Sequence, residues 1–143
     1  MVQKAREIAR RDILPIAAER DRNYPPDRAY PWEIADKIDA AGLRTLTVPK
    51  EFGGFGARHL LQAMVTEELA YGDLGVAVSL DQTYKFTRLL TDGTTPGQRE
   101  RYLGDFLADS RALLALATTE PHSGTDTFLL YDAPHAGPRM TAR

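Results

Sequence analysis

Along the chain, apolar residues recur with a helical period. Val2, Ala5, Ile8, Ala9, Ile13, Ile16 and Ala17 return every three or four positions, which predicts a helix from Val2 to about Arg22 with one buried stripe. Pro15 lies inside it and lacks a backbone donor, so a kink or break near Asp12 is expected. Tyr24-Pro25-Pro26-Asp27 stops this helix. A second begins near Pro31, buries Trp32, Ile34, Ile38, Ala41 and Leu43, and turns at Gly42, a natural left-handed terminator. Residues 46–59, LTVPKEFGGFGARH, read as a loop, with Val48 extended before Pro49 and three glycines that permit unusual backbone angles.

Leu61, Met64, Val65 and Leu69 mark a third helix closing at Gly72. Residues 74–90 mark a fourth, most continuously apolar at its start and completed by Tyr84, Phe86, Leu89 and Leu90, as a central helix would be. Thr95-Pro96-Gly97-Gln98 is a capping box that opens a fifth, whose buried side is Tyr102, Leu103, Phe106 and Leu107. The character then changes. Residues 112–118, ALLALAT, are a short apolar run without a following helical stripe, fitting a buried strand or an extended lead-in, and RMTAR at the end alternates weakly as a second strand would. A terminal strand cannot satisfy its own edge, so the division expected is a helical domain over residues 1–111 and the beginning of an incomplete β domain over 112–143.

A chain of 143 residues suffices for one domain with a real core. Eighteen Lys and Arg against 20 Asp and Glu leave a formal charge of −2, which gives no reason to expect nucleic acid or an anionic membrane as partner. No cysteine is present, removing disulfides and thiolate chemistry and fitting a reducing compartment. With no apolar run long enough to span a bilayer and charges at the start, the expectation is a cytoplasmic protein.

The densest chemistry lies in LATTEPHSGTD, residues 116–126. Thr118, Thr119, Glu120, Ser123, Thr125 and Asp126 place four hydroxyls and two carboxylates around one turn, a composition that can hold a polar cofactor. An ordinary turn bonded to its own backbone has the same composition, and spacing alone favours that simpler reading. Glu120 and Asp126 fit local capping, and His122 fits a solvated surface position. His59 and His135 have no partner at metal-ligand spacing, so no metal is expected.

The run Thr119-Glu120-Pro121-His122-Ser123-Gly124-Thr125-Asp126 resembles the Thr-Glu-Pro-Gly-Ala-Gly-Ser-Asp signature of acyl-CoA dehydrogenases. Upstream, ILPIAAERD, AAGLRTLTVPKEFGGFG, VTEELAYGDLGVAVS and GTTPGQRERYLGDFLADSRALLALATTEP are similar to consecutive landmarks of that family, in order. The departures are His122-Ser123 for the usual Gly-Ala, Thr125 for serine, and a longer, proline-rich stretch after Asp126. The resemblance implies a mainly α fold: a five-to-six-helix N-terminal bundle running into the first strands of a truncated β domain. It also implies FAD, with Thr119 and Thr125 bonding the isoalloxazine edge and the pyrophosphate, Leu116 and Thr118 beside the ring, and Gly124 within the same turn. The activity implied is α,β-dehydrogenation of an acyl-CoA to the 2-enoyl-CoA, with electrons passed to electron-transfer flavoprotein or another acceptor.

In that family the fourth helix, carrying Val76, Val78, Leu80, Tyr84 and Phe86, lines the acyl pocket, although plain core has the same composition. The catalytic base lies in a C-terminal helical domain to which none of these residues corresponds. No catalytic residue is therefore assigned, and the chain alone is expected to be inactive, with the complete form a tetramer or dimer. The alternatives are a flavin oxidase or monooxygenase on the same scaffold, or a non-catalytic helical interaction module.

Overall fold

The computed structural model describes residues 1–25, 28 and 30–124. Six α-helices form a bundle: α1 (Val2–Ile8), α2 (Leu14–Asn23), α3 (Trp32–Ala40), α4 (His59–Gly72), α5 (Leu74–Asp92) and α6 (Pro96–Ala108). Between α1 and α2 the chain does not break at the proline. It widens into a π-helical turn, Ala9–Ile13, and Pro15 enters the first turn of α2. A proline ring crowds the carbonyl four residues back, and a widened turn relieves that crowding without ending the helix. Gly72, at the end of α4, lies against this turn: a Cβ there would stand 2.9 Å from Ile13 Cβ and 3.0 Å from the Ala9 carbonyl oxygen.

α4 packs most extensively on α5 and α1, and α5 also meets α6. The main core gathers Ala5, Ile8, Ile13, Ile34, Ile38, Leu43, Leu46, Val65, Leu69, Leu80 and Tyr84. A smaller cluster of Val48, Leu103 and Phe106 lies beside it. Arg44, almost fully buried, links the end of α3 to α6: it donates to Asp39 Oδ1 at 2.6 Å and to the Phe106 carbonyl at 3.0 Å, and its guanidinium lies 4.4 Å from the Phe106 ring centroid.

The capping box at Thr95 and Gln98 forms, and Gly42 takes φ +74°. In the 46–59 connection, which contains a 3-10 turn at Lys50–Phe52, Gly53 and Gly56 take positive φ. Gly54 serves another purpose, since a Cβ there would fall 2.1 Å from the Val48 carbonyl oxygen. Several residues expected inside are instead exposed: Trp32, Met64, Leu89 and Tyr102. Trp32 stacks edge-on to Tyr30, and Tyr102 lies beneath Arg101, so their rings meet neighbouring surface groups in place of the core. Among the described residues no strand forms. Residues 112–118 form neither helix nor strand, and RMTAR lies outside the described residues.

Candidate functional site

The chain leaves α6 and is tied down twice before the threonine-rich turn. Arg111 grips Asp36 of α3 through Nε and Nη2, at 2.7 and 2.6 Å. These hydrogen bonds hold the Asp36 carboxyl below the usual carboxylate range, partial burial opposing them. Next, side chains alternate as an extended segment requires: Ala112 and Leu114 pack on the smaller cluster, Leu113 on the main core. The Leu114 N–H donates to Thr83 Oγ1 at 3.1 Å, while the same hydroxyl donates to the Ser79 carbonyl at 3.0 Å.

Beyond Leu114 the segment rises to the surface. Leu116 is 57% exposed, Thr119 is exposed and Thr118 half-buried. Among the described residues, neither threonine hydroxyl has a hydrogen-bond partner, and the backbone N–H groups of 115–119 are likewise unpaired. The chain then folds back through paired backbone bonds between Glu120 and Ser123, at 2.7 and 3.3 Å. Ser123, treated in the sequence as one of the loop's hydroxyls, is buried at 5% exposure. Gly124 lies against Thr119, where a Cβ would stand 3.9 Å from Thr119 Cγ2. Leu116, Thr118, Thr119 and Gly124 thus share one surface ribbon, and Thr125 and Asp126 lie outside the described residues.

The arrangement offers a row of unused donors and acceptors on a ribbon anchored at one end. Such a row suits a ligand rich in acceptor atoms, and equally a neighbouring strand. The best-formed cavity among the described residues, about 370 Å³, lies elsewhere, between Ile13, Ile16 and Arg20 on one side and Val76 and Ser79 at the start of α5 on the other. None of residues 115–124 lines it. Tyr30 closes one side, where burial raises its hydroxyl pKa against the effect of a hydrogen bond with Ser79.

The structure divides the proposed pocket residues of α5. Val76, Leu80 and Tyr84 belong to the core, whereas Val78 is 47% exposed and shares its face with Leu74, 68% exposed, one turn earlier. Among the described residues no group of three His, Asp or Glu stands close enough to hold a metal ion, and His59 and His122 are exposed. Sequence reasoning missed Thr83 and the Arg111–Asp36 pair. A row of hydroxyls at four-residue spacing, Ser79, Thr83, Thr87 and Thr91, was the available signal for Thr83; the ion pair spans 75 positions and left none.

Residues 1–110 match the sequence family described as acyl-CoA dehydrogenase, N-terminal domain. The chain is 35% identical over 124 residues to a 3-(aryl)acrylate reductase of Clostridium sporogenes, covering 85% of this chain and 31% of that protein. It is 33% identical over 131 residues to cyclohex-1-ene-1-carbonyl-CoA dehydrogenase of Syntrophus aciditrophicus, covering 91% of this chain and 30% of the other. Against a short-chain-specific acyl-CoA dehydrogenase of Clostridium acetobutylicum the identity is 33% over 127 residues, covering 87% and 32%. The chain therefore spans about a third of the length of these relatives.

Proposed function

The chain belongs to the acyl-CoA dehydrogenase family, matching its N-terminal domain, and on that premise we propose that it forms one wall of an FAD site at which an acyl-CoA thioester is oxidised between Cα and Cβ. The observation that carries this reading is the ribbon of 115–119, whose backbone N–H groups and two threonine hydroxyls are unpaired among the described residues, immediately after a doubly anchored lead-in.

That donor set fits the flavin, whose ring edge and pyrophosphate present acceptors that need partners once water leaves. Thr119 and the backbone at Leu116 and Thr118 would hold the ring edge, Gly124 would stand beside them next to Thr119, and Thr125 would take the pyrophosphate. When bound, FAD supplies the two-electron acceptor. The protein's part is to fix the ring against the thioester and keep water from the reacting carbons, with Leu74 and Val78 offering apolar surface to the acyl chain. The base that removes the α proton, the remaining flavin contacts and the oligomer interface lie in the rest of a longer enzyme, with electron-transfer flavoprotein as the electron partner.

The relative named as an arylacrylate reductase favours a second direction, saturation of a double bond at the same site. One experiment addresses both. The protein expressed from its native gene should carry visible flavin absorbance, and adding a short-chain acyl-CoA without oxygen should bleach it. Reoxidation by an arylacrylate of flavin first reduced with dithionite, without bleaching by acyl-CoA, would reverse the direction. A colourless protein that takes up no FAD on incubation contradicts the proposal.

A further inference from the structure

We propose that Thr83, a core residue of α5, is a positioning residue for the surface ribbon, fixing the height at which 115–119 meets its ligand in the register that the Arg111–Asp36 pair selects. This rests on the flavin reading for its consequence, though not for its geometry. Thr83 is fully buried. Its hydroxyl hydrogen is committed to the Ser79 carbonyl one turn back, so the oxygen's lone pair is aimed outward from the helix and receives the Leu114 N–H. The hydroxyl therefore has one orientation, and an acceptor of fixed direction holds the passing chain at one height above α5.

Leu114 is the last point of attachment before the exposed run. Among the described residues, the next backbone hydrogen bond along the chain is at Glu120, and the chain between carries Leu116, Thr118 and Thr119. Side chains at 112 and 114 enter one apolar cluster and that at 113 the other, so apolar packing favours the correct face. A slip by two residues would preserve that alternation. Such a slip would offer Thr83 another backbone N–H but would pull Arg111 away from Asp36, so the side-chain pair selects the register and the Thr83 bond pins the chain at Leu114 once that register is taken. α5 also presents Leu74 and Val78, so the helix that offers apolar surface to the acyl chain also sets where the ribbon stands.

The test compares Thr83→Val with Thr83→Ser in the full-length protein. Valine keeps the shape and leaves the Ser79 carbonyl its own helical bond, so α5 should persist; serine restores the hydroxyl. With valine the Leu114 amide should exchange about tenfold faster, with protection elsewhere in α5 unchanged, and FAD should dissociate about fivefold more readily. Serine should return both to the unaltered values. Unchanged exchange at Leu114, or faster exchange with unaltered FAD affinity, overturns the proposal. If no flavin binds even to the unaltered protein, the flavin reading falls, while the exchange comparison still decides whether Thr83 holds the ribbon. Should the valine variant fail to fold, the unaltered protein supplies the deciding measurement: a Leu114 amide no better protected than those of 115–117 overturns the role.

Discussion

At the scale of single residues, Tyr84 shows how the bundle and its longest connection hold one another. Its ring is fully buried in the main core and its hydroxyl donates to the Leu43 carbonyl at 2.8 Å, while its own carbonyl accepts from Thr47 Oγ1 at 3.2 Å. Burial pushes its pKa far up, so the hydroxyl remains a donor wherever the fold persists. Tyr84→Phe leaves a buried carbonyl without this partner and should lower stability by about 1–2 kcal/mol in denaturant unfolding. A loss below about 0.3 kcal/mol would mean that water replaces the phenol. From sequence, Tyr84 was readable as core, but its hydroxyl's partner 41 positions away was not. The same limit hid Arg44 in part: its carboxylate partner Asp39 is five positions away, but the Phe106 carbonyl and ring that complete its buried surroundings are 62 positions away.

At the scale of elements, the π-helical turn and the end of α4 were shaped for one another. Gly72 is the last residue of α4 and admits Ala9 and Ile13, so its lack of a side chain serves packing, while the helix stops at the extended backbone of Asp73. Gly72→Ala should cost about 1–3 kcal/mol by forcing the turn outward, measured as a shift in unfolding midpoint; no shift would show that the two helices slide freely. Periodicity exposed the stripe of the first helix, and the Thr95–Gln98 pair announced its own helix start, since both are local signals. Pro15 announced a disturbance but not its form, because a widened turn and a break begin from the same missing donor. Trp32, Leu89 and Tyr102 lay at helical spacing yet face outward: periodicity identifies an apolar side, while its edges are settled by what packs there. The 112–118 run, expected as a buried strand or an extended lead-in, forms no strand among the described residues, because a strand needs partner strands that a local apolar run does not supply.

At the scale of the molecule, three carboxylates join elements that are distant in sequence. Glu68 of α4 pairs with Arg6 of α1, Asp12 with Arg11 and with Lys37 of α3, and Asp36 with Arg111 ahead of the ribbon. Hydrogen bonds from these cations hold all three below the usual carboxylate range, against the opposing effect of partial burial. As pH falls below about 4 the unfolded chain takes up protons first, so this stabilisation is present at neutral pH and lost through the depressed native values. Unfolding midpoints should therefore fall between pH 6 and about 3, and Asp36→Asn should reduce the acid sensitivity of the 111–114 anchorage seen by amide exchange. Midpoints that do not change across that range would contradict it.

The account turns on whether the 115–119 ribbon meets a flavin, and Thr119 tests that most directly, its hydroxyl being exposed and unpaired among the described residues. In the full-length protein, FAD affinity measured by flavin fluorescence titration should weaken about fivefold to tenfold in Thr119→Ala and return in Thr119→Ser. Equal affinity in all three proteins would place the flavin, if it binds, away from this ribbon.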